Sequence, residues 1–409
     1  MFAIGEFRAL WLAELQSSMG DQLARVALSV LVFNRTGSAA LTAVTYALTQ
    51  LPDLVAGPLL GGLADRFPRR RIMVVCDLAR AGLVAVMAVP GMPIVALAVL
   101  LVIMQLFAAP FTAAQAATMP VILSGDRLEI GQSIRQSTRQ IGLVAGFAGG
   151  GGLVALVGTS QALALDAATF AISVVLLSVG IRPRPAPEWP EDGRRASTVR
   201  RLTAGARVVW GDRQLRALVG LAWLAGFVVV PEGLAVPYAE EIGAGAAAAG
   251  VLLAAHPAGL VAGAIAVRWI SPARRRALMA PMAVAAIAPL AGFAAQPDLP
   301  GAIALLVVSG ACGAYQITAA ATFMRAVPDA HRGQAFGLAG SGLIAVQGLG
   351  VAAGGLLAQG VGSAATAIAV AAAAGLPFGV LAASAWYRSQ TPDRAVMPQD
   401  GTSSGPAVE

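Results

Sequence analysis

The sequence is poor in charge, in cysteine and in histidine. Only 12% of the 409 residues are charged, and all 28 basic residues are arginine, with no lysine. The two cysteines, Cys76 and Cys312, lie far apart in apolar segments, which excludes a disulfide framework and a CxxC metal site. HExxH, Walker A and GxSxG motifs are also absent. The sequence therefore predicts no enzyme, no metal site and no ATP-driven pump.

Long apolar segments dominate the chain. Hydrophobic residues make up 57% of it, compared with about 45–50% in soluble domains. A helix needs about 20 apolar residues to cross the ~30 Å hydrocarbon core of a bilayer. Twelve such segments follow one another, at 9–33, 38–63, 72–90, 93–118, 130–157, 162–181, 215–237, 246–269, 276–294, 300–323, 333–358 and 363–386. The sequence therefore predicts an all-α polytopic membrane protein with 12 transmembrane helices in the lipid bilayer.

The arginines are distributed unevenly between the two sides of the predicted membrane. Connections that follow even-numbered helices carry most of them, whereas connections that follow odd-numbered helices carry only Arg35. Because arginine is retained on the cytoplasmic side, we expect both termini in the cytoplasm and a multi-pass protein of the cytoplasmic (inner) membrane. The same distribution accounts for the net charge of +7 without a nucleic-acid partner.

The chain repeats itself around a polar stretch in its middle. At a constant offset of 202 residues, Gly57, Gly61 and Arg66 fall on Gly259, Gly263 and Arg268. Parallel repeats of this kind are typical of secondary transporters whose substrate site lies between two halves. We therefore predict an N-terminal six-helix bundle at 1–181, a cytoplasmic linker at 182–214, a C-terminal six-helix bundle at 215–387 and a disordered cytoplasmic tail at 388–409.

The loop GGLADRFPRRR at 61–71 resembles the signature that joins helices 2 and 3 in the major facilitator superfamily (MFS). The matching positions are Gly61, Asp65, Arg66, Arg69 and Arg70. Pro68 stands where the family usually has glycine. The resemblance implies the MFS fold, with two pseudo-symmetric six-helix bundles, and a conformational latch made by these residues. A solvated signal that fixes topology, with no part in the latch, is the alternative.

The predicted fifth helix carries glycines four residues apart, in GLVAGFAGGGG from Gly142. It resembles the MFS drug-antiporter signature at Gly142, Gly146, Gly150 and Gly151, although Phe147 occupies the position of the usual proline. Glycines at this spacing let a neighbouring helix approach closely. We expect these four glycines to pack against other helices, either for the sliding of an antiporter or as generic tight packing.

The N-terminal stretches FRALWLAELQSSMGDQLARV and LPDLVAGPLLGGLADR resemble the MFS branch of the enterobactin exporter and macrolide-efflux proteins. The resemblance implies a secondary active transporter that exports an amphipathic small molecule by alternating access. It would be driven by the proton gradient, without a cofactor, and would act as a monomer. A proton-coupled importer of a small nutrient would use the same fold, and a non-transporting membrane sensor or enzyme is less favoured.

Ionisable side chains inside a bilayer usually face a cavity or a charged partner. Glu14, Asp21 and Arg25 lie on one stripe of the first helix, so they either line a cavity or form ion pairs. Asp53 in the second helix and Glu232 in the seventh lie near mid-membrane. These residues and Arg139, at the start of the fifth helix, are the candidates for binding substrate or protons. Hydrogen bonds between helices are the alternative role.

Three further charged residues are predicted to have local roles. Asp77 and Arg80 lie near the start of the third helix, at i and i+3, and we expect them to pair beside the latch. Asp166 is expected to begin the sixth helix and to cap its backbone amides.

Overall fold

The structure is a computed structural model, and it describes residues 2–52, 54, 56, 60, 63, 66–186, 206–328 and 331–390. Within these residues the chain is helical and contains no strand. Nine helical stretches of this part of the chain are long and apolar enough to cross a membrane. The predicted all-α membrane protein is confirmed at this level, whereas the number of twelve crossings stays a prediction.

The helices follow one another along the whole described chain. They are α1 (Gly5–Thr36), α2 (Ala39–Leu48), α3 (Arg69–Met87), α4 (Ile94–Leu106), α5 (Ala108–Ile122), α6 (Asp126–Val157), α7 (Thr159–Gly180), α8 (Arg213–Trp223), α9 (Ala225–Val228), α10 (Val230–Glu241), α11 (Gly245–Val267), α12 (Pro272–Ile287), a 3-10 helix (Ala288–Ala295), α13 (Leu299–Gly313), α14 (Tyr315–Ala326), α15 (Arg332–Val361) and α16 (Ala364–Gln390).

Polar residues in the connections start several of these helices. Ser38 caps α2 by accepting a hydrogen bond from the Leu41 amide, and Asp212 caps α8 in the same way. Asp298 caps α13 through the Gly301 amide. Such side chains satisfy amides that have no partner inside the helix. The chain can therefore turn back at these points without leaving buried donors unpaired.

Three helices at the start of the chain differ from the nine apolar stretches. Charged residues interrupt α1 and α3, and α2 has only 10 residues. All three nevertheless pack inside the helical assembly. α1 lies against α6 and α7, and α3 lies against α5 and α7. Their charged side chains must therefore find partners among the neighbouring helices, since few of them reach solvent.

The later helices form a comparable arrangement. α11 packs on α13 and α10, and α16 packs on α8, α12 and the 3-10 helix. The helices before the central stretch contact those after it mainly through three pairs. These pairs are α6 with α11, α2 with α15 and α2 with α10.

The two ends of the helical assembly differ in charge. At one end the backbone amide of Arg182 donates to Glu6, and the Arg70 side chain donates to the Ser178 carbonyl. We call this the arginine-rich end. At the opposite end Ser38 contacts Gln359, at the start of α2 and the end of α15. We call that the arginine-poor end.

The predicted domain limits fall partly outside the described residues. Within the linker predicted at 182–214, residues 187–205 are not described. In the tail predicted from 388, residues 388–390 instead belong to α16, which ends at Gln390. Residues 391–409 lie outside the described part of the chain.

Candidate functional site

A cavity of about 740 Å³ lies between α6 and α11. Most of the side chains that line it are apolar, such as Leu143 of α6 and Leu260 of α11. Its polar and charged lining residues are Gln136, Ser137, Gln140, Glu232, His256, Arg268, Tyr315, Gln316 and Gln347. A space of this size holds a drug-sized molecule, and apolar walls with a few polar groups are typical of ligand sites.

Glycine contacts close this cavity on the side of the arginine-poor end. A β-carbon placed on Gly151 would lie 2.6 Å from the Gly250 α-carbon, so the backbones of α6 and α11 touch there. A side chain at Gly355 of α15 would collide with Ala43 of α2. From Gly151, the cavity extends along α6 to Gln136, fifteen residues closer to the arginine-rich end. The cavity is therefore sealed near one end and extends toward the other.

Glu232 lies in the wall of the cavity and accepts a hydrogen bond from a helix that precedes the central stretch. The Tyr46 hydroxyl on α2 donates a 2.6 Å hydrogen bond to Glu232 Oε2 on α10. His256 Nδ1 on α11 lies 3.8 Å from Glu232 Oε1. Arg25 on α1 is close enough to act electrostatically on both Tyr46 and Glu232. The structure thus brings the predicted Arg25 and Glu232 together, with Tyr46 and His256 beside them.

A second group of charges is buried among α1, α3 and α7. Arg80 Nη2 lies 2.8 Å from Asp21 Oδ1, and Arg80 Nη1 lies 3.7 Å from Asp77 Oδ1. The Arg80 guanidinium also stacks 4.1 Å from the centre of the Phe170 ring. Asp166 on α7 acts electrostatically on the same arginine. Asp77 and Asp166 are wholly buried, and we call these four charged residues the Arg80 cluster.

The Arg80 cluster differs from the sequence predictions in its partners and in the role of Asp166. Asp77 and Arg80 do pair, but the further ion-pair partner of Arg80 among the described residues is Asp21 of α1. The expectation that Asp166 caps the start of its helix is wrong, because α7 begins at Thr159 and Asp166 is one of its buried interior residues. Asp21 pairs with Arg80 across helices and not with Arg25 one turn away.

A small polar cavity of about 130 Å³ borders the Arg80 cluster. Asp21, Arg25 and Arg80 line it together with Thr49 and Gln105. This volume has room for a few water molecules, which polar walls of this kind can bind. Asp21 therefore both lines a cavity and forms an ion pair, so the two alternatives considered for it are not exclusive.

Glu14 forms a two-pronged ion pair with Arg135, which is not among the residues predicted from the sequence. Arg135 Nε lies 2.5 Å from Glu14 Oε2, and Arg135 Nη2 lies 2.9 Å from Glu14 Oε1. The same Nη2 donates to Gln115 Oε1 at 2.8 Å. Arg139, the predicted candidate, is exposed one turn later on α6. Glu14 therefore links α1 to α6. Arg135 and Arg139 are four residues apart in the sequence, and this spacing is the feature that could have indicated Arg135 as well.

Two arginines from the loop sequence at 61–71 bind backbone carbonyl groups of other helices at the arginine-rich end. Arg69 Nη1 donates to the Ala117 carbonyl of α5 at 2.8 Å, and Arg70 donates to the Ser178 carbonyl of α7. Arg66 is exposed and also takes part in an interaction. Gly61 and Asp65, the other predicted latch residues, lie outside the described residues, as does Asp53. The latch and the Asp53 site therefore stay predictions.

Glu6 is held at the same end, before the predicted membrane segment 9–33. Arg184 Nη1 and Nη2 donate to its two carboxylate oxygens at 2.9 and 2.8 Å. The hydrogen bond from Arg184 lowers the pKa of Glu6, although partial burial acts in the opposite direction.

The four predicted packing glycines of α6 all face other helices. Gly142, Gly146 and Gly150 pack on residues 15–23 of α1, and Gly151 packs on Gly250 of α11. One helix stripe therefore contacts both an early and a late helix.

Within the described residues, no group of histidine, cysteine, aspartate and glutamate side chains could hold a metal ion.

Comparison with known sequences points to one family. A model described as the Major Facilitator Superfamily matches residues 10–271. The multidrug efflux pump Tap of Mycobacterium tuberculosis (strain ATCC 25618 / H37Rv) is 29% identical over 220 residues, which cover 50% of this chain and 51% of Tap. Macrolide efflux protein A of Streptococcus pyogenes is 23% identical over 235 residues, covering 55% and 56%. The chain thus spans about half the length of these two relatives.

A third relative is matched over most of its length. The multidrug efflux pump Tap of Mycolicibacterium fortuitum is 27% identical over 383 residues, which cover 90% of this chain and 92% of that protein.

Solved structures show the same fold. A mutant form of the nucleoside transporter NupG has a TM-score of 0.76 at 15% identity, covering 95% of this chain and all of that one. A bacterial homolog of the human lysosomal transporter Spinster, inward-facing and unoccupied, has a TM-score of 0.69 at 14% identity. Because the family model matches more than half of the sequence, the chain belongs to the Major Facilitator Superfamily, which is a family of integral membrane transporters and not of enzymes.

Proposed function

We propose that this transporter is a proton-coupled exporter of amphipathic small molecules that works by alternating access. The observation that carries the proposal is the cavity between α6 and α11, which is sealed by Gly151 and Gly250 near the arginine-poor end and extends toward the arginine-rich end. In this scheme the structure is the inward-open state, and the arginine-rich end faces the cytoplasm. The switch to the outward-open state separates α6 from α11 at the glycine contact.

The proposal includes the architecture expected from the sequence. Twelve crossings form two six-helix bundles, at 1–181 and 215–387, joined by a cytoplasmic linker at 182–214. Both termini lie in the cytoplasm, the protein resides in the cytoplasmic (inner) membrane, and it acts as a monomer without a resident cofactor. The contacts of α6 with α11, of α2 with α15 and of α2 with α10 are then the main interface between the bundles.

The lining of the cavity supports an amphipathic substrate. Its walls are mostly apolar, and polar side chains stand among them, including Gln140, Gln316 and Gln347. Apolar burial supplies affinity for many shapes, whereas a few hydrogen bonds orient the molecule. Relatives named as multidrug and macrolide efflux proteins agree with this class of substrate.

Glu232 supports proton coupling at the cavity. It lies between the cavity and the Tyr46 hydroxyl, so its hydrogen bond joins the two bundles. A hydrogen bond to a charged carboxylate is about twice as strong as one between neutral groups. Protonation of Glu232 would therefore weaken this link, so proton binding and release at this residue change the balance between the two states. Each proton that enters down a potential of ~100 mV releases about 2.3 kcal/mol to drive the cycle.

Accumulation of a fluorescent amphipathic dye in intact cells tests the proposal. Cells that produce the protein should accumulate less dye than cells without it, and a protonophore should abolish the difference. Glu232→Gln should remove most of the proton-driven export, whereas the exposed Glu240→Gln should retain it as a matched control. Higher accumulation in producing cells would mean import, and dye export that a protonophore leaves unchanged would overturn proton coupling.

A further inference from the structure

The Arg80 cluster contains more acids than bases. Asp21, Asp77 and Asp166 surround one guanidinium, and Asp77 and Asp166 have no exposed surface. Burial of a charged carboxylate without a partner is strongly unfavourable. One buried arginine cannot neutralise three carboxylates, so the cluster is unbalanced as it stands.

Groups on the surrounding helices do not restore the balance. The polar or charged residues that face the cluster or its small cavity are Arg25 on α1, Thr49 after α2, Gln105 on α4, and Thr169 and Ser173 on α7. Among the described residues only Arg25 is a second base, and it also acts on Tyr46 and Glu232. Asp53, four residues after Thr49 in the sequence, lies outside the described residues.

Asp166 is the acid with the fewest partners. Its Oδ1 accepts a 3.2 Å hydrogen bond from the Thr169 hydroxyl, and its Oδ2 has no partner among the described residues. Asp77 differs, because it accepts from Ser173 and lies 3.7 Å from Arg80. Arg80 Nε is also buried and lacks a hydrogen-bond partner in the described part of the chain. An acceptor and a donor are thus left unsatisfied in the same buried cluster.

Close packing separates Asp166 from solvent. Any side chain at position 20 of α1 would collide with Asp166 Oδ1 and the Thr169 hydroxyl, so Gly20 lets α1 lie directly against them. Water reaches the cluster most easily at Asp21, whose side chain is 28% exposed and lines the small cavity. Asp21 and Arg80 therefore stand between that cavity and Asp166.

We propose that Asp166 carries a proton that is exchanged during transport, a role that rests on the proposed function and adds a second site to it. In the structure described, an O–H bond on Asp166 keeps this carboxyl neutral while Arg80 pairs with Asp21. When the proton leaves through Asp21 and the small cavity, Asp166 becomes a carboxylate and attracts Arg80, whose free Nε is available to it. The ion pair between Arg80 and Asp21 is then weakened.

The change in pairing reaches the central cavity through Arg25. Asp21 and Arg25 line the same small cavity and are one helical turn apart on α1. A carboxylate at Asp21 that has lost Arg80 attracts Arg25, which otherwise acts on Tyr46 and Glu232. Loss of the Asp166 proton therefore alters the link between α2 and α10. Proton release and the opening of the sealed end would be coupled by this series of charges.

Asp166→Asn tests the role because it keeps the shape of the neutral acid and cannot lose a proton. In proteoliposomes, the variant should lose at least tenfold of dye transport driven by a pH gradient. It should keep dye exchange at equal pH, which needs no net proton movement. Asp298→Asn is the matched control, since asparagine caps a helix as well as aspartate does and Asp298 caps α13. A variant with wild-type gradient-driven transport would show that Asp166 is a permanently neutral structural group.

Two further measurements decide the question if Asp166→Asn does not fold. Thr169→Val removes the hydroxyl that donates to Asp166, which makes the carboxylate less stable, so the pH midpoint of transport should move upward. The infrared spectrum of the wild-type protein should contain the band of a buried protonated carboxyl that disappears as the pH is raised. An unchanged midpoint, or a wild-type spectrum without this band, would overturn the proposal. If the proposed function itself were wrong, the wild-type protein would transport no dye at all. This result distinguishes that failure from a failure of the role of Asp166.

Discussion

The hydrogen bond from Tyr46 to Glu232 offers a direct test of how the sealed end is held. Tyr46 is 2% exposed, and its hydroxyl lies 2.6 Å from Glu232 Oε2 across the α2–α10 contact. Tyr46→Phe removes this one bond and keeps the aromatic ring in place. A hydrogen bond to a charged group contributes about 1.5–3 kcal/mol. If the bond breaks when the sealed end opens, the ratio of closed to open protein should fall by about 10- to 150-fold.

Pulsed electron paramagnetic resonance can measure this ratio. Spin labels at the exposed positions 34 and 360 report the separation of α1 and α15 at the arginine-poor end, in protein whose two cysteines have been replaced. Tyr46→Phe should move part of the population to longer distances at neutral pH. Glu232→Gln should act in the same direction, and the two changes together should add little.

Tyr238→Phe is the matched control for this experiment. Tyr238 is 1% exposed, but its hydroxyl donates to the Pro297 carbonyl, so both partners belong to the part of the chain after the central stretch. This change should lower the thermal stability of the protein and leave the distance distribution unchanged. The reasoning would be refuted if Tyr46→Phe gave the wild-type distribution, or if Tyr238→Phe shifted it by the same amount.

Two further predictions concern the ends of the assembly. Gly151→Leu should prevent the close contact with Gly250, because even a β-carbon at this position would lie 2.6 Å from the Gly250 α-carbon, and it should abolish transport. Gly149→Leu should retain transport in the dye assay, since a β-carbon at position 149 would have open space around it. The Glu6–Arg184 pair should stabilise the protein above the usual pKa of a glutamate, and this contribution should be lost as the pH falls through the lowered pKa of Glu6. Thermal unfolding of wild type and Arg184→Gln should therefore differ at pH 7 and converge in acid; a constant difference would contradict it.

Much of the fold follows from the apolar segments of the sequence. Their lengths and the polar breaks between them predicted helices close to those observed, for example α11 at Gly245–Val267 against a predicted 246–269. The breaks are local features, since residues such as Ser38 and Asp298 cap the next helix through their own side chains. Helix caps of this kind can be predicted from the sequence without knowing which helices are neighbours.

The partners of the charged residues could not be read in the same way. Spacing along α1 placed Asp21 and Arg25 on one stripe, but the partner of Asp21 is Arg80, which is 59 residues away. The prediction that Asp166 caps its helix is wrong because α7 already begins at Thr159, seven residues before Asp166. Helix neighbours decide such pairs, and a single sequence does not state which helices are neighbours.

In the proposed cycle, the helices are held together in two ways, and only one of them responds to protons. At the arginine-poor end, Gly151 and Gly250 bring the backbones of α6 and α11 together by close packing, which carries no charge. Packing of this kind is insensitive to protons, so it seals the end without responding to the gradient. The Tyr46–Glu232 bond crosses the same interface and does depend on charge. In the proposed cycle, the charged hydrogen bond adjusts a balance that is set mainly by packing, and each proton that enters down ~100 mV supplies about 2.3 kcal/mol to shift it.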